Sequence, residues 1–231
     1  MVSVIFPAAG QGRRMKAGKN KVLLELGGKP ILQRTLESFS GLPEVGELIV
    51  VTGREDMAEV RAMLEGAVGL KPWQLTEGST ERQYSIRNGL RLVSQEAELV
   101  LVHDAARPLI SPAVIQRVIA GARQFGGAIA AVPEKNTVKI VNDEGMVVST
   151  PPRKNLWAVQ TPQGFKKAVL LDANEMAETE GFLGTDDASL VERIGLPVKV
   201  VEGDYRNIKI TTPEDMVTAE AFLRQMEEEG K

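Results

Sequence analysis

Small residues and cations crowd together in one stretch near the start of the sequence. Gly10-Gln11-Gly12 is followed by Arg13, Arg14, Lys16, Lys19 and Lys21, and no Asp or Glu stands between Met1 and Leu24. Small residues expose backbone N–H groups, and like charges are rarely gathered without a counter-charge, so the stretch reads as an anion cradle. Arg14 and Lys21 are placed to close over whatever the cradle holds, which has the shape of a triphosphate. The plainer alternative is a strand-to-helix turn whose basic side chains are simply solvated. Two familiar phosphate motifs fail. The dinucleotide fingerprint needs a third small residue where Met15 stands, and the P-loop needs four residues between its glycines and a Ser or Thr after the lysine. Here five separate Gly12 from Gly18, and Asn20 follows Lys19. Further on, Asp104 ends an apolar run, where one carboxylate together with phosphate oxygens and water suits Mg²⁺; a turn cap is the alternative.

The elements that must position these groups alternate. Val2-Ser3-Val4-Ile5-Phe6 reads as a buried parallel strand running straight into the glycine loop. Pro30 suits a first helical position, with Ile31, Leu32, Thr35, Leu36 and Phe39 on one helical face. Strands are expected at 48–52, 73–76, 99–102, 128–132, 198–201 and 208–211. Helices are expected at 55–64, 81–93, 166–176 and 186–194. Another opens at Ser111-Pro112 and stops at Gly126-Gly127, and a last one is capped by Thr212 with Asp215 in the boxed position. The pattern breaks between 133 and 160, where 137–141, a turn at Asn142-Asp143-Glu144-Gly145 and 146–149 read as a hairpin with no crossover helix. Two short strands bury little alone, so this arm needs either the main sheet or a second subunit to pack against, and a second subunit is expected. The fold class is therefore α/β: a Rossmann-like, mostly parallel twisted sheet with helices on both faces and a protruding β-hairpin arm. Residues 1–231 are expected to form a single domain, with 133–160 used in dimerisation. Ligands should sit at the carboxyl ends of the strands.

Composition narrows the chemistry. The 231 residues carry 28 Lys and Arg against 31 Asp and Glu, a formal charge of −3, which argues against general nucleic-acid binding. Zero cysteines remove disulfides, thiolate nucleophiles and thiolate-bound zinc, and a single histidine rules out a His-rich metal site or a catalytic His pair within one chain. No stretch approaches the ~18 apolar residues of a membrane span, and 2–9 lacks the basic flank of a signal peptide, so a cytoplasmic location is expected.

Pro7-Ala8-Ala9-Gly10-Gln11-Gly12-Arg13-Arg14-Met15, with Lys21, resembles the signature of nucleotidyltransferases. Four later motifs narrow this: Val102-His103-Asp104-Ala105-Ala106-Arg107-Pro108, Thr161-Pro162-Gln163, Thr185-Asp186-Asp187-Ala188 and Asn207-Ile208-Lys209. The ordered set resembles the 2-C-methyl-D-erythritol 4-phosphate cytidylyltransferase family over nearly the whole chain. The resemblance implies transfer of the cytidylyl group of CTP to a sugar-alcohol phosphate, with release of pyrophosphate and with Mg²⁺ as cofactor. It implies Arg14, Lys21 and Lys209 as catalytic cations around the α-phosphate. It implies nucleotide contacts from Ala8 and Ala9, from the loop residues Gly10, Gln11 and Gly12, and from Gly78, Ser79, Thr80 and Ser85, with Ala105 by the ribose. For the acceptor it implies Asp104, Arg107, Thr137, Arg153 and Thr185, with Arg153 reaching across a homodimer interface. The chain departs from the family's frequent residues at Asn20, Arg206, Ser79 and Thr80; base readout by backbone tolerates the last two.

A phosphate monoester is already mostly dianionic at neutral pH, so an acceptor of this kind attacks without a general base. That suits a chain with one histidine, and His103 is read as structural, Asp186 and Asp187 as helix caps. The rival readings are a ribitol-5-phosphate cytidylyltransferase and, from another class, a nucleotide-binding protein without catalysis. A nicotinamide oxidoreductase is disfavoured by Met15.

Overall fold

The computed structural model describes residues 1–10 and 20–229. Seven strands form the central sheet. In chain order the first four are β1 (Val2–Pro7), β4 (Val45–Thr52), β5 (Trp73–Glu77) and β6 (Leu99–Val102). They are followed by β7 (Gly127–Pro133), β10 (Trp157–Lys166) and β11 (Lys199–Glu202). The spatial order is β11-β7-β10-β6-β1-β4-β5. All neighbours run parallel except β10, which is antiparallel to both β6 and β7. Two small ribbons stand apart from this sheet: β2 (Glu25–Leu26) with β3 (Lys29–Pro30), and β8 (Ile140–Val141) with β9 (Val147–Ser149).

The strands β1, β4, β6 and β7 are largely apolar on both faces, and each face of the sheet has its own core. Val4, Phe6, Leu48, Val50, Leu99 and Leu101 point to one side. They meet the stripes of α1 (Ile31–Ser40), α2 (Met57–Gly66) and α4 (Pro112–Phe125). Ile5, Ile49, Val51, Val100 and Val102 point to the other side, against α3 (Arg82–Leu90), α5 (Lys167–Thr179) and α6 (Asp187–Arg193). This period-two division, matched by helical stripes of period 3.6, dictates the three layers. Each fully buried Val or Leu contributes about 1.5–3 kcal/mol relative to exposure. A third cluster lies at one end, where α7 (Pro213–Glu229) packs over the β2–β3 ribbon around Leu26, Ile31, Leu109 and Ile210.

The expected caps form. Ser111 accepts the Val114 N–H ahead of Pro112, and Gly126 ends α4 at φ +89, a conformation that favours glycine. Asp215 accepts the Thr212 N–H at 2.8 Å while its own N–H reaches the Thr212 hydroxyl.

Four expectations need correction. Pro30 ends β3 as the N-cap residue, and α1 begins one residue later. The helix expected at 81–93 stops at Leu90. Residues 157–166, which had no assigned strand, form the ten-residue β10 between β6 and β7. Gln160, Pro162, Gln163 and Gly164 break the apolar run that marks its neighbours, and a proline argues against an interior strand. The chain accommodates Pro162 where the register shifts between Val159 and Gln163, with a cis Thr161–Pro162 bond. Conversely, 208–211, expected as a strand, joins no sheet. Its backbone is held by Ile210 N–H donating to Ala106 O at 2.9 Å and by the Asp215 carboxylate accepting from Thr211, so a side chain stands in for a neighbouring strand.

Candidate functional site

Four parallel strands, β5, β4, β1 and β6, end at the same edge of the sheet. The chain leaves β1 toward β4 and leaves the neighbouring β6 toward β7, in opposite directions, the position at which open α/β sheets bind ligands. A cavity of about 340 Å³ opens at this edge. One wall is Pro7 to Gly10, running off β1; a second is Ser79 to Arg82 with Ser85; a third is Asp104 to Ala106, running off β6. Lys21 and Lys209 complete the lining, with Val22 and Thr211.

The approach of the first two walls depends on a glycine. A Cβ at Gly78 would lie 2.5 Å from the Ala9 methyl and 3.1 Å from the Ser85 hydroxyl, so a side chain there would force the walls apart. Ser85, on α3, accepts the Ser79 N–H at 2.9 Å and donates to the Glu81 carbonyl, which fixes the loop's course.

Asp104 sits at the centre of the charges. Its N–H donates to the Thr161 hydroxyl at 3.0 Å, and its Oδ2 meets Arg107 Nε and Lys209 Nζ, each at 3.1 Å. Arg82 Nε stands 4.0 Å from Oδ1. Burial works to raise the carboxyl's pKa. The Lys209, Arg107 and Arg82 charges outweigh it and hold the group ionised, well below the usual carboxylate range. Three cations around one carboxylate leave a net positive floor, suited to phosphate.

Lys209 reaches this point because its segment is tied from several sides. The buried Asn207 donates to the Thr161 carbonyl at 2.8 Å and to Gln160 Oε1 at 3.2 Å, while its own carbonyl accepts from Arg107 at 2.7 Å. Arg206, one of the departures, turns outward to Asp204 and Glu229. Asn20, the other departure beside the loop, is buried. It donates to Ala8 O at 2.8 Å and to Asp56 at 2.7 Å, and its Oδ1 caps the 3₁₀ turn Lys21–Leu23.

Lys21, Lys209, Asp104, Ala8, Ala9, Gly10, Ser79, Thr80, Ser85 and Ala105 thus line one cavity. Gly78 supports the wall from behind. Arg107 stands against Asp104 and is largely buried, its guanidinium divided between that carboxylate and the Asn207 carbonyl. Thr137, Arg153 and Thr185 are exposed and lie outside the lining. Arg153 donates to Lys135 O at 3.0 Å, at the base of the arm. Arg14, Gln11 and Gly12 lie outside the described residues.

His103 is fully buried against Phe6 and Phe39. Its Nε2 faces the Arg107 carbonyl at 3.2 Å and must carry the proton it donates there, so Nδ1 accepts from the Thr161 hydroxyl at 3.1 Å. Burial pushes its pKa down to about 3. The ring is a neutral structural link between β6 and β10. Asp186 caps α6 in a full capping box with Ser189. Asp187 does more than cap: it is buried and pairs with Arg82 at 2.7 Å.

Arg82 had no assigned role. The signal available was a cation in the first turn of a helix, where the dipole disfavours positive charge, so another partner had to stabilise it. Gln163 was also passed over. Its Oε1 accepts the N–H groups of Asp187 and Ala188, and its Nε2 donates to Asp186.

A cation-lined cavity of about 340 Å³ at the strand ends of such a sheet fits a nucleotidyltransferase. The family model described as IspD, 2-C-methyl-D-erythritol 4-phosphate cytidylyltransferase, matches residues 2–225, and the chain belongs to that family. It is 49% identical over 231 residues to the protein of that name from Geotalea uraniireducens, covering 99% of each chain. It is 45% identical over 225 residues to the protein of that name from Caldanaerobacter subterraneus subsp. tengcongensis, covering 97% of this chain and 99% of the relative. Among solved structures, 4-diphosphocytidyl-2C-methyl-D-erythritol synthase from Anaerococcus prevotii superposes with a TM-score of 0.86 at 36% identity, covering 97% of this chain and 98% of that one.

Proposed function

We propose that this chain joins CTP to 2-C-methyl-D-erythritol 4-phosphate, forming 4-diphosphocytidyl-2-C-methyl-D-erythritol and pyrophosphate. The observation that carries the reading is that Lys21 and Lys209, from opposite ends of the chain, line the same cavity beside Asp104. An oxygen of the acceptor phosphate bonds to the α-phosphorus as the bond to the β-phosphate oxygen breaks, and pyrophosphate takes the electron pair. No proton needs to be removed from a dianionic acceptor. The obstacle is repulsion between two anions, and Lys21, Lys209 and Arg14 offset the charge that spreads over the α-phosphoryl oxygens. Ala8, Ala9 and residues 78–80 hold the base through their backbone, and Ala105 packs by the ribose.

Asp104 suits Mg²⁺. No cluster of three acidic, His or Cys side chains exists among the described residues, so an all-protein cage is not available. Mg²⁺ commonly takes one or two carboxylates and fills its shell with water and phosphate oxygens, and an ionised Asp104 supplies one. When bound, the ion would neutralise phosphate charge. Arg107, Thr137 and Thr185, together with the Arg153 of a partner subunit, hold the acceptor. Residues 133–160 form the dimer arm of a single-domain chain 1–231. Val138, Ile140, Val141, Met146, Val147 and Val148 are exposed along it, which supports this use. We place the enzyme in the cytoplasm; no helix among the described residues is long and apolar enough to cross a membrane.

The test is pyrophosphate release over CTP, UTP, ATP and GTP against methylerythritol phosphate and ribitol phosphate, with and without Mg²⁺. Release is expected with CTP and methylerythritol phosphate. Lys21→Met and Lys209→Met should each lower kcat on the order of 10²-fold or more. Preference for ribitol phosphate would move the assignment to that acceptor, and silence with every pair would end the enzyme reading.

A further inference from the structure

The first turn of α3 faces two loops at once. Residues 79–81, just ahead of it, line the cavity. On its other side runs the loop 182–187, which carries Thr185. Gln83, almost wholly buried, accepts the Gly184 N–H through Oε1 at 2.9 Å and donates from Nε2 to the Phe182 carbonyl at 3.1 Å. Its neighbour Arg82, in the cavity wall, donates to Asp187 at 2.7 Å. Thr185 is therefore held on both flanks from one helical turn. The matching grip from β10 reaches only Asp186, Asp187 and Ala188 through Gln163, so Gln83 alone of these contacts fixes the entry side of the loop.

We propose that Gln83 is a positioning residue for the acceptor: it fixes the backbone on either side of Leu183 and so sets where Thr185 stands relative to the nucleotide pocket. The inference rests on the proposed function only in assigning the acceptor to Thr185. The clamp is a statement about the loop and can fail or stand independently. Gln83 touches no reacting atom; it acts through the loop, and its contribution belongs to acceptor recognition rather than to nucleotide binding or to the chemical step.

Two measurements test it. Backbone amide hydrogen exchange at Gly184 should be about tenfold faster or more in Gln83→Ala than in the parent chain, because a buried partner has been lost, while the Ser79 amide keeps its rate. In steady-state kinetics, losing two neutral hydrogen bonds should raise KM for methylerythritol phosphate roughly fivefold, with kcat and KM for CTP within about twofold. Gln83→Met fills a similar volume with neither hydrogen bond, so it should match Gln83→Ala in both readouts; if Gln83→Ala does not fold, the same comparisons are read from it. Unchanged exchange at Gly184 would overturn the clamp. An equal rise in both KM values, or in neither, would overturn the positioning role. A parent enzyme silent with every substrate would defeat the function while leaving the exchange result to decide the clamp.

Discussion

At the scale of single residues, the site is governed by how buried polar groups are paired. Asp104 stays ionised although burial opposes it, because its cations come from three places: Arg82 on α3, Arg107 after β6 and Lys209 near the chain's end. His103 makes the opposite choice and stays neutral. In the unfolded chain an ordinary histidine takes up its proton near pH 6.5, whereas the folded ring resists protonation down to about 3. Below about 6.5 the unfolded chain binds more protons than the folded one. The stability contributed by the neutral ring is therefore complete above that pH and is lost progressively as pH falls toward 3. Equilibrium denaturation between pH 7 and 5 should show stability falling with a slope approaching ~1.4 kcal/mol per pH unit. Since His103 is the chain's one histidine, His103→Gln should flatten that slope. An unchanged slope would show that the ring is not held neutral.

At the scale of elements, the least regular segment does the most positioning. The stretch 207–212 belongs to no sheet or helix, yet it delivers Lys209 to a carboxylate that lies far away in the sequence, at the end of β6. Asp215, in the first turn of α7, holds it by accepting from the Thr211 N–H and hydroxyl and from the Thr212 N–H. Asp215→Ala should cost about 1–2 kcal/mol in chemical denaturation, the usual range for a lost helix cap, and should lower kcat through the freed lysine segment. Loss of stability with full kcat would mean that the contacts of Asn207 and Ile210 suffice. The strands nearest the site were legible because residues such as Val4, Ile5, Leu99 and Val100 are apolar on both faces, as buried parallel strands must be. β10 was not, since its polar side chains serve other elements: Gln160 binds the 204–207 turn, and Gln163 binds the start of α6. A strand that spends its side chains on distant loops loses the pattern that would reveal it.

At the scale of the whole molecule, the two faces of the sheet are packed by helices, while the apolar side chains of the arm stay exposed among the described residues. Ile140 and Val147 stand more than half exposed at its strands. If the arm pairs with a second copy, Ile140→Asp with Val147→Asp should convert a sedimenting dimer to a monomer with unchanged far-ultraviolet circular dichroism. Acceptor KM should rise with it, because the partner's Arg153 would be withdrawn. A parent chain that sediments as a monomer would refute the arrangement. The glycine-rich run with its clustered cations, the alternation of strand and helix and the five ordered motifs could all be read from the linear order of residues, because each rests on local spacing or composition. The family resemblance already implied that Lys21 and Lys209 meet at one nucleotide, but the salt bridges of Lys209, Arg107 and Arg82 to Asp104, the grip of α3 on the loop around Thr185 and the insertion of β10 between β6 and β7 needed the folded chain. They depend on contacts between residues far apart in sequence, some about a hundred residues, and no local pattern records which distant backbone group a buried glutamine, asparagine or arginine will meet.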